Sequence, residues 1–220
     1  MTCMSGGTIL YLSRKFALNR VMMRKHSMRS AITKQSGFPR FQLNRQKILI
    51  DRLLIAGRLE SGMMKLEIGS MDIIPVLEES LMAVKPIANK GKVLLSLSVQ
   101  RRPIQVIGDR SGLQQVFINL INNAVKFSRR GGTVQVTVSE NETEVLVDIV
   151  DSGVGIPEQA IPHLFERFYR AKNVTSAEIP GSGIGLYIVK SIVEELGGTI
   201  RVNSVLNQGT TFAVSLKRFE

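Results

Sequence analysis

The chain has 220 residues, 44% of them hydrophobic, which is enough for one well-packed domain and an appendage. Its one cysteine, Cys3, excludes an internal disulfide and a cysteine-rich metal site, and no stretch approaches the roughly 18–20 uninterrupted apolar residues of a transmembrane helix. The net charge of +11 is lopsided: residues 1 to 50 hold ten Lys or Arg and no Asp or Glu, so the rest of the chain is near neutral. These features suit a reducing compartment, and a cytoplasmic location is the expectation.

Residues 1 to 40 are basic and weakly periodic. A basic head of this kind can touch anionic lipid or nucleic acid. It carries no recognisable nucleic-acid motif and few aromatics, so part of a helical arm, or a leader, is the expectation. In residues 41 to 60 the apolar set Leu43, Ile48, Ile50, Leu53, Leu54 and Leu59 predicts a helix that packs against a partner helix. Ser61-Gly62 reads as its stop. A second amphipathic helix is predicted over 72–90 from Ile74, Leu77, Leu81 and Val84, with Pro86 near its end as a source of a kink. Residues 92–99 and 104–107 read as strands.

The stretch 109–128, DRSGLQQVFINLINNAVKFS, is the strongest helix signal. Asp109 or Ser111 can cap it, and Leu113, Val116, Phe117, Leu120, Ile121 and Ala124 form one apolar stripe. Asn119 and Asn123 lie one turn apart on a common face, followed by Lys126 and Phe127. Carboxamide oxygens are hard ligands that suit Mg²⁺, and a lysine supplies a positive point charge for phosphate. The alternative is an ordinary solvated face.

Residues 132–139 and 143–150 alternate apolar and polar around Asn141, a hairpin pattern. The second strand delivers Asp151 into Asp151-Ser152-Gly153-Val154-Gly155-Ile156-Pro157, where glycines let the backbone pass close to something. A buried carboxylate there can accept a hydrogen bond from a ligand amine such as that of adenine. In His163-Leu164-Phe165-Glu166-Arg167-Phe168-Tyr169-Arg170 the aromatics fall at helical spacing, and Phe165 and Phe168 are expected in local core. Residues 171 to 182 lose periodicity and gain Asn, Thr, Ser, Pro and Gly, a loop composition. Gly181-Ser182-Gly183-Ile184-Gly185-Leu186 then opens an amphipathic run to residue 196, and glycines at a helix N-terminus make an anion site. Residues 199–205 and 210–216 form a second hairpin around Gly209-Thr210-Thr211-Phe212.

Each glycine cluster alone is weak evidence. In this order and spacing, over residues 72 to 218, the asparagine helix, the Asp151–Pro157 turn, the phenylalanine-rich 164–170, the 181–186 glycines and the 209–212 turn resemble the nucleotide-binding boxes of sensor histidine kinases. These belong to the superfamily shared with gyrase, a heat-shock chaperone and mismatch-repair ATPases. The resemblance implies an α+β fold, a two-layer α/β sandwich of the Bergerat ATP-binding type with an N-terminal helical arm. ATP would lie between the asparagine helix and a lid over 171–182. It implies a basic segment over 1–40, the end of a dimerisation hairpin and linker over 41–68, and a catalytic domain over 69–220. Asn123 with Asn119 would hold Mg²⁺, Lys126 would touch phosphate, Phe127 or Ile156 would flank adenine and Asp151 would read its amine. Gly153, Gly155, Gly181, Gly183 and Gly185 would admit the backbone, beside Leu186 and Thr210, and Arg170 and Lys172 would contact the phosphates.

Hydrolytic members of the superfamily carry a general-base glutamate where this chain has Asn119, and a carboxamide cannot take up a proton at neutral pH. The resemblance therefore implies a phosphotransferase acting on a histidine. Its expected partners are a response-regulator receiver domain or a histidine phosphotransfer protein, and a second copy through the hairpin.

The acceptor motif is degraded. His163 belongs to the aromatic segment, where a structural role is expected. His26 lies in His26-Ser27-Met28-Arg29-Ser30-Ala31-Ile32-Thr33, a faint echo of the family motif, with Ser27 in place of the acid and Ala31 in place of the proline. His26 is the candidate phosphoacceptor. The other reading is a module that binds ATP and partners without phosphorylating itself.

Overall fold

The computed structural model describes residues 65 to 171 and 181 to 219, together with Leu54, Ile55 and Gly57, which are helical. The expectations for residues 1–40, for His26, for most of the 41–60 helix with its Ser61-Gly62 stop, and for Lys172 lie outside the described residues.

The chain enters through β1 (Gly69–Asp72) and α1 (Ile73–Gly91), followed by β2 (Leu94–Val99) and β3 (Gln105–Gly108). Asp72 caps α1 by accepting from the Ile74 N–H at 3.1 Å, and its carboxylate also accepts from the Ile104 N–H at 3.2 Å. One short side chain thus starts the helix and ties it to the approach of β3. The helix continues past Pro86 to Gly91 and ends on Lys92, which takes a left-handed φ of 56°.

The asparagine helix is α2 (Arg110–Phe127). Asp109 caps it, accepting from the Gly112 N–H at 2.6 Å and the Ser111 hydroxyl at 2.7 Å. The same carboxylate takes the Glu67 N–H at 2.9 Å, so the entering chain is pinned to the start of α2. Burial pushes the Asp109 carboxyl up, but these hydrogen bonds outweigh it and hold the group below its ordinary range.

Both predicted hairpins are present: β4 (Thr133–Glu140) with β5 (Glu144–Asp151), and β6 (Thr199–Val205) with β7 (Gly209–Lys217). Asn141 turns the first by accepting from the Thr143 and Glu144 N–H groups at 2.9 and 2.7 Å. The sheet order is β2-β4-β5-β7-β6, with β2 parallel to β4 and the other neighbours antiparallel. A further helix, α3 (Gly185–Glu195), precedes β6.

The alternating strand residues set one face of the sheet inward. Val134, Val136 and Val138, then Val145, Val147 and Ile149, then Phe212, Val214 and Leu216 are buried. Phe117, Leu120 and Ile121 of α2 and Ile188, Val189 and Ile192 of α3 share that core with α1. This is the two-layer sandwich. Truncating Phe117, which is fully buried, would cost about 3–5 kcal/mol.

Two features differ from the sequence reading. The strand β1 was not expected: its four residues hold one large apolar side chain, Met71, and its partner β3 lies more than thirty residues away. The aromatic segment is not an α-helix. A 3₁₀ turn over Glu158–His163 gives way to tight turns. Phe165 packs against the core as expected, but Phe168 does not: it is 61% exposed. Its backbone takes φ 62°, and its N–H bonds the Gly183 carbonyl at 3.1 Å. The chain reverses there to reach the second glycine cluster, and the ring is left outside.

Candidate functional site

The C-terminal half of α2, the end of β5, the start of β7 and the N-terminus of α3 surround one cleft of about 240 Å³. Of the residues singled out from sequence, it brings together Asn123, Lys126, Phe127, Asp151, Gly155, Ile156, Arg170, Gly181, Gly183, Gly185, Leu186 and Thr210. They come from five separate stretches spanning nearly ninety residues, and the helix and sheet ends are what make them neighbours.

At one end Asp151 terminates β5, paired with Thr210 of β7. Both are only 6% exposed. The Asp151 carboxylate accepts the Gly153 N–H at 2.8 Å. Burial pushes its pKa up to about 6, against hydrogen bonds from the Gly153 and Thr210 backbones. At neutral pH it is an ionised acceptor in a largely dry site. That state is costly when empty and is relieved by a ligand donor.

The turn after Asp151 depends on its glycines. Gly155 has φ 64°, and a Cβ there would run into the Val205 carbonyl. Gly153 does not line the cleft. It passes so close to the Phe127 carbonyl, beside the Ser128–Gly153 bridge, that no side chain fits. Its part is to hold the Asp151 turn against the end of α2.

The other end of the cleft is cationic. Lys126 Nζ sits 4.8 Å from the Phe127 ring centroid, and Arg170 donates to the Gly181 carbonyl at 3.4 Å. The N-cap residue of α3, Ile184, brings no capping side chain, so the helix dipole and first-turn amides favour an anion. Gly183, at φ 71°, abuts the Phe168 backbone, which couples this turn to the aromatic segment. Gly185 lies where an added Cβ would be 3.3 Å from Asn119 Oδ1. Asn119 itself is 3% exposed and stands behind the cleft rather than in its wall.

His163 is paired with Glu166 at 2.7 Å and lies 5.4 Å from the Tyr169 ring, and it does not itself line the cleft. The sequence reading missed Asn122, Leu164, Tyr169, Ser182 and Phe212, which also line the cleft. Phe212 was findable, since period-two alternation puts it on the face of Thr210. Leu164 and Tyr169 arrive through irregular turns that carry no periodic signal.

No helix among the described residues is long and apolar enough to cross a membrane. Residues 108–220 match the family model for the histidine kinase-, DNA gyrase B- and HSP90-like ATPases. The chain belongs to that family. It is 33% identical over 174 residues to the sensor protein GacS of Pseudomonas syringae pv. syringae, a match covering 77% of this chain and 19% of GacS. The chain thus spans about a fifth of the curated relatives it matches first. Among solved structures, the mycobacterial sensor histidine kinase MprB superposes with a TM-score of 0.62 at 35% identity, covering 68% of this chain and 98% of that one. Full-length ShkA in complex with AMPPNP gives a TM-score of 0.68 at 26% identity, covering 78% and 36%.

Proposed function

We propose that this chain is the ATP-binding catalytic module of a two-component histidine kinase, moving the γ-phosphoryl of Mg-ATP to a histidine. The observation that carries the reading is the polarity of the cleft. Asp151 is its one carboxylate among the described residues, and that carboxylate lies at the end of β5. Where Asn122, Asn123 and Lys126 meet the cleft, no acid among the described residues is placed to take a proton from water. Asp151 accepts the base amine, Ile156 and Phe127 flank the ring, and Lys126, Arg170 and the α3 N-terminus take the phosphates.

The donor set suits Mg²⁺. Asn123 brings a hard carboxamide oxygen to the cleft, with Asn119 one turn behind it. Among the described residues no group of three or more His, Cys, Asp or Glu could hold a metal alone, so the ion would be shared with the phosphates. Bound there, Mg²⁺ would neutralise charge between phosphate oxygens. The chain's own contribution is to position the nucleotide and exclude a general base. His26 is the proposed acceptor within the chain, and a receiver domain or histidine phosphotransfer protein the proposed recipient. A homodimer through the helical arm and a cytoplasmic setting complete the reading.

The test is incubation of the full chain with γ-labelled ATP and Mg²⁺ beside His26→Gln and Asn123→Ala. Acid-labile, alkali-stable label lost in both variants supports autophosphorylation. ATP binding that Asn123→Ala abolishes, without label, leaves a module whose histidine is on another chain. Unchanged ATP binding in Asn123→Ala would remove the site assignment.

A further inference from the structure

Ser204 is absent from the cleft wall, yet its hydroxyl joins two residues of that wall, Ile156 and Thr210, and the Gly209 carbonyl beside them. Ser204 lies on β6 directly opposite Thr210 of β7. Its Oγ accepts the Ile156 N–H at 2.8 Å, lies 2.9 Å from the Gly209 carbonyl oxygen, and lies 2.9 Å from Thr210 Oγ1. A serine hydroxyl has one proton and two lone pairs. The Gly209 carbonyl can only accept, so that contact needs the Ser204 proton. One lone pair is taken by Ile156. The contact with Thr210 is then attractive only if Thr210 donates into the second lone pair. Any other arrangement sets lone pair against lone pair at 2.9 Å.

Ser204 is thereby saturated, and the Thr210 proton is committed to it. What Thr210 can still turn toward the cleft is acceptor capacity, beside the acceptor-only Asp151 carboxylate. A wall of acceptors welcomes a base edge carrying an amine and repels one carrying a carbonyl at the same place.

We propose that Ser204 is a positioning residue that fixes the donor direction of Thr210 and so sharpens selection of an amino-bearing purine over its keto counterpart. This rests on the reading of the cleft as an ATP site. Without Ser204 the Thr210 hydroxyl is free to rotate and offer its proton to a carbonyl. The Ile156 turn would also lose its anchor, which is a structural effect that both bases would feel alike.

The experiment separates these effects. Dissociation constants for ATP and for inosine triphosphate, which carries a carbonyl in place of the amine and a proton on the adjacent ring nitrogen, are measured on the full chain, Ser204→Ala and Ser204→Thr. The expected result is an ATP preference in the wild type that shrinks about three- to tenfold in Ser204→Ala and returns in Ser204→Thr. Equal weakening of both nucleotides, or an unchanged ratio, would overturn the proposal while leaving the ATP reading intact. A wild type that binds neither nucleotide would overturn the ATP reading and this proposal with it. Should Ser204→Ala fail to fold, Thr210→Val removes the same bond from the other side and is expected to shrink the preference, which Asp151 alone then maintains; an unchanged ratio would overturn the proposal.

Discussion

At the Asp151 end of the cleft the groups are buried and tied to backbone: Asp151 and Thr210 are each 6% exposed, and a Ser204 hydrogen bond holds the Ile156 turn. At the Lys126 end the cations are long, partly exposed side chains beside glycine turns. The contrast fits what each end would read under the proposed function. A base edge differs from its rivals by a single donor or acceptor, so the discriminating groups have to be dry and fixed. Phosphates are recognised by charge, which acts over several ångströms and tolerates movement. Under the proposed function the first task falls to strand ends and the second to a helix terminus with partly exposed cations.

The largest effect should come from Asp151→Asn. ATP affinity is expected to fall about 30- to 150-fold, corresponding to about 2–3 kcal/mol for a hydrogen bond to a charged acceptor, as read by isothermal titration. The empty protein should move the other way. A carboxyl raised to about 6 when folded contributes stability that is complete below its unfolded pKa and is lost as pH rises through 6. At pH 7.5 the empty Asp151→Asn protein should therefore be more stable by about 1–3 kcal/mol, and less distinguished from wild type at pH 4. A variant less stable at pH 7.5 would break this account of the dry end.

Next is Gly155→Ala. A left-handed φ costs a non-glycine residue about 1–2 kcal/mol, and the Val205 carbonyl must also move. Thermal unfolding should drop by several degrees and ATP binding should weaken with it. A smaller effect is expected from pH on the wild type. ATP affinity should be flat above pH 7 and decline on acidification, with a midpoint below 6, because a bound amine favours the ionised carboxylate. Smallest is Lys126→Gln, about three- to fivefold at low salt and less at high salt, since the ammonium is partly exposed. A Lys126 effect larger than that of Asp151, or one indifferent to salt, would reverse the comparison.

Legibility in the sequence tracks the same division. Helix α2 was readable because its cap, Asp109, and its apolar stripe agree. The hairpins were readable because Asn141 and Gly209 interrupt clean alternations. Asn123, Lys126, Asp151 and the glycines stand at ends of these periodic elements, so the site's outline followed. Phe168 was misread because helical spacing cannot register a residue with φ 62°, where the chain turns back toward Gly183. β1 was invisible because its stability lies in a partner strand, not in its own four residues. Ser204 carries no local signal at all: its role comes from cross-strand register with Thr210 and from the Ile156 turn, forty-eight residues away.

The most direct test of the central claim is to follow released phosphate and acid-labile protein-bound phosphate together, with the full chain, ATP and Mg²⁺ in one reaction. A cleft that binds nucleotide and sets no base for water among its described residues predicts that phosphate release never outruns histidine labelling, on this chain or on an added acceptor. Sustained ATP hydrolysis that persists in His26→Gln, with no labelled histidine, would contradict it and make the protein a hydrolase.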